Sequence, residues 1–398
     1  MLKNHPLIFL EVKKNHLIFF AYKIDDNFDL KLLQTISIPA QGIENCQVTN
    51  FELAYKIINE NIFLIEKKLN LTFKDLILII DDFSSTIINC TGYKKLNGSQ
   101  LVKENITYIL NTIKSKIDES ENKKIILHIF NSKYFLDKKK IENLPIGLFG
   151  NFYSHELSFF LADENNTKNF EQLINKCNLK LKKIISNSHL EGVHMINKNP
   201  ELDTFFKVEI NKNYSRIFYF ENSALKFLQD FKFGNELIIK DISKILGFNN
   251  EAITNILENF KINELIEDTG FIEKKYFKNK NFRKINKNLI FEIAKARVSE
   301  FSEIFIKKNI NLSSFLRKNI SIYLLVRDIE KIPILEDIYR SQFSNNNDYK
   351  VNLIKDSFFK DKSNTAFKLV QYGWKKEAVP VVREKKSVIA KIFDFIFN

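Results

Sequence analysis

Residues 10–22, LEVKKNHLIFFAY, have a counterpart at residues 208–220, VEINKNYSRIFYF. Each stretch runs apolar–Glu–apolar around Glu11 or Glu209, then turns through a polar segment with Lys-Asn (Lys14-Asn15, Lys212-Asn213), and leaves as an aromatic-rich strand. Alternating strands on both sides of a short polar turn are the pattern of a β-hairpin. Lysine and asparagine abound in this chain, so a chance match is the competing explanation. Taken at face value, the pair marks two lobes of similar topology, the second starting near residue 205.

Periodicity fills in the rest. Strand patterns fall at 21–23, 32–38 and 76–80, with a helix at 51–68. A compact insert at about 84–161 contains a strand, a helix (100–117) and strands around 125–130 and 154–161. A helix at 167–178 leads to a strand at 182–186. Beyond the second hairpin lie a loop-rich helical piece (237–287, strongly basic from 274 on), a long helix (289–307), a strand (320–326) and a helix (332–343). Segments 351–354 and 365–373 read as a return to the first lobe. The expected organisation is a first-lobe core (1–83), an inserted subdomain (84–161), a first-lobe helix and crossover (162–204), second-lobe core (205–236), an outer subdomain (237–290), further second-lobe core (291–343), a return (344–374), a linker (375–386) and a terminal helix (387–398).

At 398 residues and 44% apolar content, the chain is long and hydrophobic enough for two or more folded domains. Its net charge of +13 invites a nucleic-acid reading. Lysine is scattered along nearly every segment, however, with no zinc-finger spacing, RRM-like aromatic motif or arginine-rich arm, so no nucleic-acid partner is expected. High Lys, Asn, Ile and Phe content also fits drift in an AT-rich genome. A basic surface suits an anionic membrane or an acidic partner. Three cysteines, Cys46, Cys90 and Cys177, without a C-x-x-C pattern fit a reduced cytosolic setting. Glu11 interrupts the first apolar run, which excludes a secretory signal, and no apolar run reaches the ~18 residues of a transmembrane helix.

The last twelve residues read SVIAKIFDFIFN (387–398). At about 100° per residue, Ser387, Lys391, Asp394 and Asn398 share one arc, while Val388, Ile389, Ile392, Phe393, Phe395, Ile396 and Phe397 cover the remainder. A helix of that length is about 18 Å long, too short for a bilayer core of about 30 Å but suited to lying in the interface. Arg383, Lys385, Lys386 and Lys391 stand where they could meet anionic head groups, at about 1 kcal/mol each. The same stripe would also serve a helix packed on the protein's own core. The charged, Pro-containing stretch KKEAVPVVREKK (375–386) favours a tether and a peripheral membrane anchor.

Several patches point to one family. NLPIGLFG (143–150) is similar to the N-P-V-G-L-S-G turn of the bacterial cell-division protein FtsA, an actin-like ATPase-fold family, and CNLKLKKIISNSHLEGVHMI (177–196) to its C-G-L-K-V-D-x-L-I-F-x-G-L-A-S-S run. ARVSEF (296–301) resembles P-R-Y-x-E-L at the start of a long helix, and TAFKLVQYG (365–373) resembles A-x-G-L-x-x-Y-G. The placement of the insert and the amphipathic tail match the family too. The resemblance implies an α/β, actin-like (ribonuclease H-like) two-lobed fold with an FtsA-type inserted subdomain and a C-terminal amphipathic helix. It further implies a peripheral protein on the cytoplasmic face of the membrane at the division septum, tethering filaments of the tubulin-like FtsZ and self-associating into filaments. A related actin-like pilus-assembly adaptor shares the fold but lacks the terminal helix.

The departures concern nucleotide. Ten glycines in 398 residues are few, since proteins average about 7%. The family's first phosphate hairpin carries a glycine and a small hydroxyl residue after its acid, whereas Glu11 is followed by Val12-Lys13-Lys14. Its second reads D-I-G-G-G-T, whereas this chain has Glu209-Ile210-Asn211-Lys212-Asn213-Tyr214. Its adenosine loop carries a glycine pair, whereas residues 325–331 read LVRDIEK. A Cβ in such loops obstructs both the left-handed backbone and the approach of phosphate to N–H groups. By resemblance Glu11 and Glu209 stand where carboxylates organise hydrated Mg²⁺, and Lys13 and Lys212 could meet phosphate of ATP. The plainer reading is two acids at solvated hairpin ends. Weak or absent ATP binding is expected, and no catalytic residue.

Asp81-Asp82 after a strand reads as a solvated strand end, and the spacing of His189, His194 and Cys177 does not suit zinc. No G-x-S-x-G, H-E-x-x-H or Walker A motif occurs. By resemblance the C-terminal peptide of FtsZ would bind the region 237–302, with Arg297, Glu300 and the basic run Lys274, Lys275, Lys278, Lys280, Arg283 and Lys284 exposed nearby.

Overall fold

The computed structural model describes residues 6–25, 30–81, 85–259, 270–277, 284–327, 332–344 and 349–377. Lys278, Lys280, Arg283, Asp82 and the whole of the predicted terminal helix lie outside the described residues. The chain divides into two compact units, residues 1–187 with 366–398, and residues 188–365.

Unit 1 runs β1 (Pro6–Val12), β2 (His16–Ile24), β3 (Leu30–Pro39), the short pair β4 (Ile43–Glu44) and β5 (Gln47–Val48), α1 (Phe51–Leu69) and β6 (Asp75–Ile80). It continues through β7 (Thr86–Lys95), α2 (Lys103–Ser120), β8 (Lys124–Leu136), β9 (Lys139–Ile141), β10 (Phe152–Asp163), α3 (Glu164–Lys176) and β11 (Lys180–Ser186). The main sheet has the order β11-β6-β1-β2-β3. Helix α1 exists because Ala54, Ile58, Ile62 and Ile65 form one buried stripe, and because Asn50 accepts the Leu53 N–H at its start. With α3 it covers one face of the sheet. The insert forms its own antiparallel sheet, β7-β10-β8-β9, under α2.

Unit 2 runs α4 (Asn187–Lys198), β12 (Phe205–Ile210), β13 (Ser215–Glu221), β14 (Ala224–Phe231), α5 (Glu236–Leu246), α6 (Asn250–Asn259), α7 (Lys287–Ser302), β15 (Ile320–Val326), α8 (Pro333–Ser344) and β16 (Tyr349–Ile354). Its sheet order is β14-β13-β12-β15-β16, the same wiring as unit 1: a three-stranded meander whose first strand continues into two parallel strands. Within the hairpins the pairing agrees residue for residue at an offset of 198, and the parallel partner joins the first strand at the same place. Leu10 faces Phe19 and Leu78 in the first sheet, and Val208 faces Ile217 and Leu324 in the second. The repeat read from the two hairpins is therefore a repeat of topology.

Three expectations change. Tyr349–Ile354 does not return to the first sheet, because β16 pairs in parallel with β15 on unit 2's edge. The chain re-enters unit 1 only along α9 (Lys362–Tyr372). The start of the predicted linker is docked rather than free. Asn131 N–H donates to the Lys376 carbonyl at 2.6 Å, and Glu377 forms a β-bridge with Phe130 on β8. Helix α4 and strand β14 were not foreseen, and α7 ends at Ser302 in a π-helical turn rather than running on to residue 307 as α-helix.

Candidate functional site

In unit 2 the strand β12 reads FFKVEI, and every one of its residues is buried. Alternation places Phe206, Val208 and Ile210 in the hydrophobic core and leaves Lys207 and Glu209 on the opposite face. An ammonium and a carboxylate there require partners. Lys207 Nζ, wholly buried, pairs with Glu191 of α4 and with Glu209 Oε2 at 3.2 Å. It also lies over the rings of Phe218 and Phe359 at 4.9 and 4.7 Å. Arg327, the first residue after β15, sends Nε to Glu209 Oε1 at 3.0 Å, Nη2 to Glu191 at 3.5 Å and Nη1 to Asp356. Lys362 lies 3.7 Å from Glu191, and Asn211 Nδ2 donates to Glu209 Oε1 at 3.2 Å.

The electrostatics follow from these contacts. Burial alone would raise Glu191, but Lys207, Lys362 and Arg327 outweigh it and the repulsion of Glu209, holding it at about 2. Glu209 is likewise pushed up by burial but held well below the carboxylate range by Arg327, Lys207 and Arg216. Burial works against the Arg327 cation, yet Glu209, Glu191 and Asp356 keep it charged well above its ordinary value.

The turn of this second hairpin is equally committed. Asn211 N–H donates to Tyr214 C=O at 2.9 Å, while the carbonyls of Asn211 and Lys212 accept the N–H groups of Asn235 and Glu236 at the start of α5, both at 2.9 Å. Gly234 permits this approach, since a Cβ there would fall 2.0 Å from the Asn211 oxygen. Lys212 itself is exposed. A hydrated Mg²⁺ with a nucleotide phosphate does not fit this hairpin. Both Glu209 oxygens accept from cations, the turn carbonyls face α5, and non-glycine residues fill the turn.

The first hairpin lies in unit 1. Its turn closes through Lys13 N–H to His16 C=O at 2.9 Å, and Lys13 Nζ lies 3.6 Å from Glu11 Oε1. Glu11 is 1% exposed and Glu209 is 7% exposed, which overturns the reading of both acids as solvated hairpin ends. The strands continue past them into apolar surroundings, so the carboxylates are drawn into the interior. Asp81 is buried too, accepting from Asn187 Nδ2 at 3.0 Å, rather than solvated as expected.

Of the residues expected at the peptide site, Arg297 and Glu300 are described, and they stand apart from this network on α7 of unit 2. A groove of about 760 Å³ opens between α5 and α7, lined by Asp241, Lys244, Ile245, Ile293, Ala296, Arg297 and Glu300. Arg297 is partly buried and pairs with both Asp241 and Glu300, and this raises its pKa: the hydrogen bond it donates to Asp241 first, against burial. Lys275 pairs with Glu273 at 2.9 Å. Among the described residues, Lys275 and Arg297 thus both have acidic partners.

Sequence reasoning missed Glu191, Lys207, Arg327, Asp356 and Lys362. One signal was available: a lysine and a glutamate two apart on one face of a strand otherwise made of Phe, Val and Ile.

No protein-family model matches the chain. Over 245 residues, 61% of this chain, it is 21% identical to the cell division protein FtsA of Buchnera aphidicola subsp. Schizaphis graminum. That match spans 57% of the relative's length. Among solved structures, a chain of the PilM-PilN type IV pilus biogenesis complex superposes with a TM-score of 0.55 at 7% identity, covering 92% of this chain and 98% of that one. MreB5 of Spiroplasma citri bound to ADP gives a TM-score of 0.46 at 9% identity, covering 93% and 99%. The superposition gives the chain a mixed α/β, actin-like fold, and over those 245 residues its sequence is similar to that of FtsA.

Proposed function

We propose that this chain is an actin-like adaptor of cell division that holds FtsZ filaments at the cytoplasmic face of the membrane, with nucleotide binding weakened or lost. The observation that carries this reading is the 245-residue similarity to FtsA, together with a groove on the α5–α7 face of unit 2 where Arg297 and Glu300 stand. Ile245, 59% exposed, and Ile293 give the groove an apolar floor for a peptide side chain. The paired Asp241, Arg297 and Glu300 give it polar walls. The tail from 387 to 398 supplies the lipid contact in this reading, weak for one copy and firm for many along a filament. Head-to-tail self-association is part of the same proposal.

The test is liposome flotation of the protein with and without residues 387–398, each with FtsZ added. Co-flotation of both proteins only when the tail is present supports the tether. Flotation of this chain alone leaves the anchor and removes the partner, turning the reading towards a pilus-type adaptor on the same fold. No flotation sinks it. Arg297→Glu is expected to abolish FtsZ-peptide binding with the fold intact, and unchanged affinity would refute the groove. Calorimetry showing low-micromolar ATP affinity would contradict the nucleotide part.

A further inference from the structure

Three carboxylates of unit 2 converge on a single guanidinium. Glu209, Glu191 and Asp356 each meet a different nitrogen of Arg327. Behind them Lys207 bridges Glu191 and Glu209, and Lys362 approaches Glu191. Burying several acids together without a compensating cation is strongly unfavourable, because the ions lose water and repel one another. Proteins meet that demand either with a bound divalent ion or with their own cationic side chains. Here the cations arrive from three separate places in the sequence: the hairpin strand, the end of β15 and the start of α9. The guanidinium is planar and forked, so it can serve three carboxylates at once, which an ammonium of the same charge does less well.

We infer that Arg327, with Lys207, is a built-in counter-cation that takes the place of a divalent ion among Glu191, Glu209 and Asp356. Unit 2 then keeps its arrangement around β12, α4 and β15 without any ion or nucleotide. The inference concerns unit 2 alone and stands whether or not the chain tethers FtsZ.

The experiment is thermal unfolding of the full chain in EDTA and in millimolar Mn²⁺, for the wild type, Arg327→Met, and Arg327→Met combined with Asp356→Asn. The wild-type midpoint is expected to be the same in EDTA and Mn²⁺. Arg327→Met leaves carboxylate charge in excess, so its midpoint falls in EDTA and rises again with Mn²⁺. The double variant, with charge balance restored, recovers in EDTA and ignores Mn²⁺. A wild-type midpoint that rises with Mn²⁺ would overturn the inference, as would a folded Arg327→Met that is indifferent to the ion. Should Arg327→Met fail to fold, the double variant decides: recovery of the fold supports the counter-cation, and loss of fold in both overturns it.

Discussion

His155, on β10 of the insert, is 1% exposed and packed between Tyr134 at 4.9 Å and Tyr153 at 6.0 Å. Among the described residues neither ring nitrogen has a hydrogen-bond partner. Burial without a partner lowers its pKa from 6.5 to about 4, so the ring is neutral in the folded insert. The unfolded chain takes up a proton near pH 6.5 and the folded one does not. Stability is therefore complete above pH 6.5 and drains away as the pH falls towards 4. At about 1.4 kcal/mol per pH unit, the loss reaches about 3 kcal/mol by pH 4. His155→Leu removes the titrating group and the unsatisfied nitrogens at similar volume. The assay is hydrogen exchange of the β7, β8 and β10 amides from pH 7 to pH 4. Wild type should lose protection through this window, whereas the variant should stay level and match or exceed wild type at pH 7. An unchanged acid loss in His155→Leu would refute the reasoning.

Glu191 acts lower on the pH scale. Its folded pKa of about 2 lies below the ordinary 4.5, so its contribution is complete above pH 4.5 and lost as pH falls towards 2; Glu191→Gln should flatten that limb in acid titrations of unit 2 and cost about 3–5 kcal/mol at neutral pH in urea unfolding. Gly192 sits where a Cβ would fall 2.0 Å from the Phe220 ring, itself stacked on Phe205 at 5.2 Å. Gly192→Val should therefore destabilise unit 2 by about 3 kcal/mol, readable as a lowered melting midpoint. Burial pushes the Cys177 thiol up to about 11 against the pull of Lys176, and Cys46 is buried and donates to the Val12 carbonyl. Iodoacetamide at pH 8 should label both slowly in native protein and rapidly after unfolding.

Much of the fold was legible because its main signals are local. The two hairpins announced themselves as alternating strands around Lys-Asn turns, and β15, β6 and α1 have the lengths and stripes of their types. Strand β14, ALKFLQDF, escaped because its polar second half lacks a strict alternation. Helix α4 escaped because Gly192 and two histidines dilute an apolar face whose small residue is there to admit Phe220. The ionic network was hidden for a different reason. Glu191, Lys207, Arg327, Asp356 and Lys362 span more than 170 positions, and nothing short of the sheet pairing brings them together. The glycine-poor turns were readable as unsuited to phosphate. That the acids beside them are buried and paired was not, since an isolated Glu before a polar turn looks the same in sequence whether it faces water or a lysine.

The docking of Glu377 bears on how this chain would carry a load. His128 Nδ1 on β8 meets Glu377 Oε1 at 3.0 Å while His128 Nε2 accepts the Ser186 N–H at 3.2 Å, and Lys183 on β11 holds the same carboxylate at 3.3 Å. A pull on whatever follows Glu377 thus reaches two sheets together, the insert through β8 and the main sheet through β11, before it reaches helix α9. Charge-assisted bonds and a β-bridge at that point share the tension as parallel springs do, so the helix behind them is the last element to be peeled.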